Sequence, residues 1–337
     1  MDETAEMGPA SGGQEKVQIR IVCPVYMDVG PFLALRQGIL EAISAEPALE
    51  AGEVGFTVLD DTAGNDPDFD QIRELSDVDV IEPPYNLGHQ RGLVYALRCL
   101  TPDLDDDVVV VTLDSDGEDR AEDVPRLVME VVRTDTSPAR IVLAQRSKRA
   151  HAPLAFRLLY PFFKGFFLLA TGTAVESGNF AAYRVRTANR ILLHPSFLLC
   201  YSSALLNMSV PITLVPCERG ARYSGSSRMG YSQLFTHAMR MLMPFSEAIA
   251  RRTLWVFIST LLLAILAAVL VIMIKLTTTE AVPGWATYAF VGTSILTLVS
   301  FGNLVILFTV YSQSTAVSLG DLESDWDPIE AEPRRSR

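Results

Sequence analysis

Apolar and polar positions alternate in short segments along the first half of the chain, separated by turn residues. Period-two or fully apolar runs predict strands, and runs with helical periodicity between them predict helices. The predicted strands are 17–23, 54–59, 78–82, 108–113 and 140–144, and the predicted helices are 31–44, 68–75, 90–100 and 122–133. Strands that alternate with helices indicate βαβ units, so the fold class is α/β with a mostly parallel sheet.

The last third of the chain carries two long apolar runs, 254–274 and 287–310. Each is long enough to cross a hydrocarbon core of about 30 Å at about 1.5 Å per residue. A pair of fully buried helices in a soluble protein is the alternative. Arg251 and Arg252 precede the first run, and basic residues on that side predict that the large domain before the run and the C-terminus lie in the cytoplasm. We therefore expect a cell-membrane protein with two spans.

Two further apolar segments, 158–169 and 231–250, are interrupted by polar and basic residues. They fit helices that lie in the membrane interface, although either could face a protein core. The predicted organisation is a disordered tail at 1–16, a large domain at 17–230, juxtamembrane amphipathic helices at 231–252, two transmembrane helices at 253–312 and a disordered cytoplasmic tail at 313–337.

Charge and cysteine usage exclude some partners. The formal net charge is −12, which argues against nucleic acid because phosphate binding needs a basic face. Basic residues are nevertheless frequent between 140 and 252, where they fit either a solvated face or a surface that meets anionic lipid and phosphates. The four cysteines show no CxxC spacing, so neither a zinc site nor a redox motif is indicated.

The clearest chemical signal is Asp114-Ser-Asp116, which directly follows the apolar run 108–113, with Glu118 close behind. Open α/β sheets bind ligands at the carboxyl ends of their strands. Hard carboxylate oxygens at that edge suit Mg²⁺ or Mn²⁺ holding a diphosphate. A solvated acidic loop is the alternative, because acidic residues also flank the motif.

Other motifs follow in a fixed order along the chain. They are Pro24-Val-Tyr26, Asp60-Asp61, Asn86-Leu-Gly88, the acidic segment 113–119, Ser177-Gly-Asn-Phe180 and the basic segment 219–228. This ordered set resembles a family 2 inverting glycosyltransferase of GT-A fold over roughly residues 17–312. More narrowly, it resembles the polyprenyl-phosphate glycosyltransferases, which include dolichol-phosphate mannose synthases and bactoprenol glucosyltransferases.

The resemblance implies transfer of a sugar from a UDP- or GDP-sugar to a polyprenyl phosphate, with inversion at the anomeric carbon. It implies that Asp114, Asp116 and Glu118 bind Mg²⁺ or Mn²⁺, and that Asp116, Asn179 and Arg222 are catalytic. The implied substrate-binding residues are Pro24, Tyr26, Asp28, Asp60, Asp61, Asn86, Gly88, Asp114, Ser115, Arg146, Arg219, Ser227 and Arg228.

Three positions depart from the family pattern. Met27-Asp28 stands where Asn-Glu is usual, Asn179 where Asp is usual, and Arg228 where Lys is usual. These departures leave two alternatives open, a different lipid or glycan acceptor and an inactive GT-A membrane scaffold. A processive polysaccharide synthase is disfavoured, because the sequence lacks a Gln-x-x-Arg-Trp segment. Association into a homo-oligomer through the apolar helices also stays open.

Overall fold

One mixed sheet organises the large domain. The structure, a computed structural model, describes residues 16–49, 52–133, 140–146, 154–224, 230–277 and 284–314. Within these residues seven strands lie in the order β3-β2-β1-β4-β6-β5-β7. The strands are β1 Gln18–Val25, β2 Glu53–Asp60, β3 Val78–Ile81, β4 Val109–Thr112, β5 Ile141–Arg146, β6 Ser177–Arg184 and β7 Ile212–Cys217.

The sheet is mostly parallel, as the sequence predicts. Strands β3, β2, β1 and β4 run parallel to one another, and β7 runs parallel to β5. Strand β6 is antiparallel to both β4 and β5. Ile21 and Val22 on β1, and Val110 and Val111 on β4, are fully buried although successive residues point to opposite faces. Burial on both faces is typical of parallel strands covered by helices.

Helices cover both faces of the sheet. They are α1 Val29–Ser44, α2 Asp70–Arg73, α3 His89–Leu100, α4 Val124–Arg133, α5 Leu154–Thr171, α6 Val185–Ile191, α7 Tyr201–Asn207, α8 Tyr231–Leu242, α9 Ser246–Thr277 and α10 Trp285–Ser314. One apolar cluster packs α1 and α4 against the sheet, with Phe32 and Leu127 among its members. A second packs α3, α6 and α7 on the other face, around Leu97 and Tyr201.

All five predicted strands and all four helices predicted between them are present, with boundaries that differ by a few residues. Strands β6 and β7 and helices α6 and α7 were not predicted. Strand β6 reads Ser-Gly-Asn-Phe-Ala-Ala-Tyr-Arg and is buried along most of its length, so it shows no apolar–polar alternation. Strand β7 contains Pro216, which normally argues against a strand interior.

The apolar segment 231–250 contains α8 and the start of α9. A short 3-10 turn at Met243–Phe245, with Pro244 near its start, separates α8 from α9. Phe245 packs with Met241 of α8 and Phe167 of α5 in a third apolar cluster. The Phe167 and Phe245 rings meet edge-on with centroids 5.3 Å apart. This cluster joins the large domain to the first long apolar helix.

Helices α9 and α10 are long and apolar enough to cross a membrane. They pack against each other, and the Phe257 and Phe301 ring centroids lie 5.7 Å apart. Many of their large apolar side chains are exposed, including Leu263 at 61% and Leu298 at 70%. The predicted span 254–274 lies inside α9, which begins eight residues earlier at Ser246.

Candidate active site

The carboxyl ends of three neighbouring strands bring most of the predicted residues to one edge. Strand β1 lies between β2 and β4 and runs parallel to both, so all three end on the same side. Pro24 is buried near the end of β1, and Tyr26 just beyond the strand is 45% exposed. The carbonyl of Asp28 accepts a hydrogen bond from the Phe32 N–H at 3.0 Å, which begins α1.

Asp60 at the end of β2 organises the turn that follows it. Its side chain is fully buried and accepts hydrogen bonds from the Thr62 N–H at 3.0 Å and the Gly64 N–H at 3.0 Å. The Thr62 hydroxyl donates to the same carboxylate, and Arg73 Nη2 lies 3.8 Å from it. The partners of the Asp60 carboxylate therefore all lie in the segment that directly follows β2.

Asp61, Asn86 and Gly88 form one hydrogen-bonded unit. Asp61 Oδ1 accepts the N–H groups of Leu87 at 3.0 Å and Gly88 at 3.1 Å, and Asn86 Nδ2 donates to the Asp61 carbonyl at 2.7 Å. Gly88 has φ of +75°, a conformation that favours glycine. Burial raises the pKa of Asp61, against the effect of these two N–H donors. The unit fixes the start of α3.

Asp114 lies beyond β4 among side chains from three other elements. Its Oδ1 is 2.9 Å from His89 Nε2 and accepts a hydrogen bond from Asn179 Nδ2 at 3.1 Å. Its Oδ2 is 3.9 Å from Arg146 Nη2, and the adjacent Ser115 is buried. Burial alone would raise the pKa of Asp114, but the charge of His89 and the hydrogen bond to it, with Arg146 and Asn179, lower it well below its usual range. Asp114 is therefore held as a carboxylate.

Asp116 and Glu118 face a basic segment that lies about 100 residues later in the sequence. We call residues 219–223 the basic loop. Arg222 Nη2 is 2.8 Å from Asp116 Oδ2, and Arg222 Nε is 3.4 Å from Glu118 Oε1. Arg219 forms an ion pair with Glu118. Burial and the charge of Asp114 raise the pKa of Asp116 to about 6, despite both arginines. Desolvation therefore disfavours the charged form of this carboxylate.

The backbone also attaches the basic loop to the acidic turn. The Gly220 N–H donates to the Glu118 carbonyl at 2.9 Å, and the Tyr223 N–H donates to the Asp116 carbonyl at 3.0 Å. Gly117 has φ of +84°, and a Cβ there would overlap the Tyr223 ring. The acidic turn and the basic loop therefore fit each other only with glycine at this position.

Arg146 links β5 to the same carboxylates. Besides its approach to Asp114, its Nη2 donates to Asp119 Oδ1 at 3.2 Å. Asp119 is buried, and its other oxygen accepts the Asp114 N–H at 3.3 Å. A Cβ at Gly178 would overlap the Arg146 guanidinium, so glycine there lets the arginine reach the site. The sequence did not single out Asp119, because it reads as one more residue of an acid-rich loop.

Comparison with protein families identifies the domain that carries this geometry. Residues 25–192 match the family model described as Glycosyl transferase family 2. The chain contains a family 2 glycosyltransferase domain. The match runs from the last residue of β1 to the residue after α6 and includes Asp114, Asp116 and Asn179. It confirms the family and the mixed, mostly parallel fold that the sequence predicts.

Other comparisons add little. A comparison with curated proteins gave no match. The solved structure of a 4-diphosphocytidyl-2C-methyl-D-erythritol synthase is 11% identical, with 67% of this chain and 100% of that chain covered and a TM-score of 0.35. A 2-C-methyl-D-erythritol 4-phosphate cytidylyltransferase from Francisella tularensis is also 11% identical, with the same coverage and a TM-score of 0.30. Likenesses this weak carry no argument about the glycosyltransferase domain.

The donor set of this glycosyltransferase domain fits a divalent cation at two of the three predicted ligands. Asp114 and Asp116 present carboxylate oxygens at the end of one strand, the ligand type that Mg²⁺ and Mn²⁺ prefer. Glu118 instead points to Arg219 and Arg222. Among the described residues no group of three or more His, Cys, Asp or Glu side chains is arranged to hold a metal. A cation would have to displace Arg222 from Asp116, and both arginines from Glu118, before all three predicted ligands could bind it.

The structure adds three residues to the site of the glycosyltransferase. His89 contacts Asp114, and Gln90 beside it donates to Asn179. His237 of α8 is half-buried within electrostatic reach of both His89 and Asp114. No local pattern marks Gln90 or His237, because their partners lie far away in the sequence. The predicted Ser227 and Arg228 lie outside the described residues.

Proposed function

We propose that this protein is a membrane-bound inverting glycosyltransferase that moves a sugar from a UDP- or GDP-sugar to a polyprenyl phosphate, with Mg²⁺ or Mn²⁺ as cofactor. One observation carries the proposal. In a family 2 glycosyltransferase domain, Asp114 and Asp116 lie at the carboxyl end of β4, with cationic side chains on three sides.

The donor half of the proposal rests on the basic loop. Asp114 and Asp116 would hold the cation, which when bound neutralises the diphosphate leaving group. Arg222 now pairs with Asp116 and Glu118, and a diphosphate offers it the same charge-assisted hydrogen bonds. Tyr26 and Asp61 lie at the ends of the adjacent strands, where the nucleoside would bind. Arg219 supplies a second guanidinium for the phosphates.

The acceptor half rests on the basic groups on the other side of Asp114. Arg146 and His89 contact this carboxylate from β5 and α3. His237 of α8 lies within electrostatic reach of it, and burial lowers the pKa of this histidine. A phosphate monoester is largely ionised at neutral pH, so it attacks without a strong base. The Asn179 amide cannot accept a proton in the way a carboxylate does. Rate enhancement then comes from holding two anions close together and from offsetting their charge.

Membrane attachment is supported by exposed apolar side chains on α5 and α8. Phe162 on α5 is 77% exposed and Phe235 on α8 is 69% exposed. Exposed apolar patches of this kind are typical of surfaces that meet lipid or a partner. Arg252 of α9 donates to the Leu169 carbonyl near the end of α5, so the first apolar helix is fixed to the domain. In this arrangement α9 and α10 span the membrane and the domain is cytoplasmic.

A screen of radiolabelled sugar nucleotides tests the proposal directly. Each is incubated in detergent with the full-length protein, Mn²⁺ and a short polyprenyl phosphate, and label is counted in the organic phase. We expect one UDP- or GDP-sugar to label the lipid. If a diacylglycerol or a glycan is labelled instead, the acceptor is not a polyprenyl phosphate. No transfer from any donor would contradict the proposed enzyme.

A second candidate function is an inactive membrane scaffold built on the same domain. The observation that favours it is the pairing of Asp116 and Glu118 with Arg222, which occupies the carboxylates that a cation would need. A scaffold would bind neither UDP nor GDP in a metal-dependent manner. Metal-dependent nucleotide binding together with transfer would exclude it.

A further inference from the structure

Gln90 near the start of α3 holds its side-chain amide in one orientation. Its Oε1 accepts hydrogen bonds from the Ser202 backbone N–H at 3.4 Å and from the Cys200 thiol at 3.4 Å. Its Nε2 donates to Asn179 Oδ1 at 2.8 Å. A backbone N–H can only donate, so Ser202 requires the oxygen of Gln90 on its side. The NH₂ group of Gln90 must therefore face Asn179.

The same reasoning orients Asn179. Because its Oδ1 accepts from Gln90, its Nδ2 faces the acidic motif, 3.1 Å from Asp114 Oδ1 and 2.7 Å from His89 Nε2. A neutral His89 accepts from this amide, and a protonated His89 donates to Asp114 instead. The backbone of Asn179 is also fixed, since Thr112 Oγ1 donates to its carbonyl at 2.6 Å. Gln90 therefore acts only on the rotation of the Asn179 side-chain amide.

We propose that Gln90 is a positioning residue for glycosyl transfer, because it keeps the NH₂ group of Asn179 directed at Asp114. This inference rests on the proposed function. With the amide rotated by half a turn, Asn179 Oδ1 would face the Asp114 carboxylate, and two acceptors would repel each other. The hydrogen bonds from Ser202 to Gln90 and from Gln90 to Asn179 thus set the amide orientation of Asn179. This orientation directs the Asn179 NH₂ group at Asp114.

The test is a double-mutant cycle on Gln90→Glu and Asn179→Ala in the full-length protein. Gln90→Glu keeps the acceptor for Ser202 but removes the donor to Asn179. We expect kcat for transfer to fall about tenfold or more, with the KM for the sugar nucleotide within about twofold. In the Asn179→Ala background the same substitution should change kcat less than about twofold, because residues that act through one contact are not additive.

The matched control is Gln37→Glu on α1, where an exposed glutamine donates to Glu41 at 2.7 Å. It should leave kcat and KM unchanged. Gln90→Leu repeats the cycle with a neutral side chain, in case the half-buried charge of the glutamate prevents folding. The proposal is overturned if Gln90→Glu and Gln90→Leu keep kcat within about twofold, or if their effects multiply with that of Asn179→Ala.

Melting temperatures of the same variants in detergent separate this proposal from the proposed function. The two single substitutions should each lower the melting temperature. The double variant should melt no lower than the less stable of the two single variants. If the losses of melting temperature are non-additive in this way but the protein transfers no sugar, the Gln90–Asn179 contact is supported and the proposed transferase function is not. Additive losses would overturn the Gln90 proposal whether or not transfer occurs.

Discussion

Two acidic pairs flank β1 and look alike in the sequence, yet the structure surrounds them differently. Asp60-Asp61 ends β2, and Asp114 with Asp116 follows β4. The first pair accepts hydrogen bonds from backbone N–H groups of nearby turns, such as Gly64 and Gly88. Asp116 also accepts the Glu118 N–H at 2.9 Å. Both members of the second pair, however, contact side chains from distant elements, including Asn179 and Arg222.

The difference teaches which carboxylates are available for chemistry. A carboxylate whose partners are backbone N–H groups stabilises a turn and loses that stabilisation if it moves. A carboxylate whose main partner is a guanidinium can exchange that partner for a cation or leave it to a phosphate. The raised pKa of Asp116, about 6, fits this view, because desolvated and perturbed carboxylates are frequent at functional sites.

The largest expected effect is on transfer, from the second pair. Asp116→Ala should lower kcat by more than about a hundredfold, because it removes a carboxylate that the cation requires. The melting temperature should change by only a few degrees, since the lost ion pair with Arg222 is offset by relief of a desolvated charge. Transfer assays and thermal unfolding in detergent measure both. Activity within a few-fold of wild type would remove the metal hypothesis.

Arg222→Ala should act next most strongly, through substrate binding. The guanidinium that now pairs with Asp116 would no longer reach the phosphates, so KM should rise about tenfold for the sugar nucleotide or for the lipid phosphate. Arg36→Ala serves as a control, because Arg36 forms an ion pair with Asp77, at 2.6 Å, beyond the opposite ends of the strands. Unchanged Michaelis constants for both substrates would refute a phosphate-binding role for Arg222.

Asp60→Ala should reverse the pattern seen at Asp116. It leaves the N–H groups of Thr62 and Gly64 without their buried acceptor, at a cost of about 1–3 kcal/mol each. The melting temperature should fall by about 5–10 °C, while kcat of the folded protein stays within a few-fold. A stable variant that has lost transfer would mean that the two acidic pairs share one role.

The smallest effect is expected from Gly88→Ala at the unit that holds Asp61. The site has room for a Cβ, so the cost is the strain of φ at +75°, about 1–3 kcal/mol. The melting temperature should drop by a few degrees with transfer nearly unchanged. Gly230→Ala is the matched control, because that glycine also has open space but φ of −72°. Equal melting temperatures for the two variants would contradict the strain argument.

Much of the fold and the central acidic motif follow from local sequence. Strand β4 and Asp114-Ser-Asp116 are adjacent, so one pattern predicts both, and the family match confirms the domain. Strand β6 was missed because its small, buried residues show no alternation. The partners of the carboxylates were only partly predictable, since the resemblance supplies Asn179 and Arg222 but no pattern supplies Gln90. The sugar, the lipid acceptor and the cation stay predictions.

Isothermal titration of UDP and of GDP, with and without Mn²⁺, tests the central claim most directly, because it asks whether Asp114 and Asp116 form the donor site. Wild-type protein and Asp116→Ala are compared in the same detergent. The account predicts that wild type binds one nucleotide only when Mn²⁺ is present, and that Asp116→Ala binds neither. Metal-independent binding by wild type, or equal metal-dependent binding by Asp116→Ala, would contradict it.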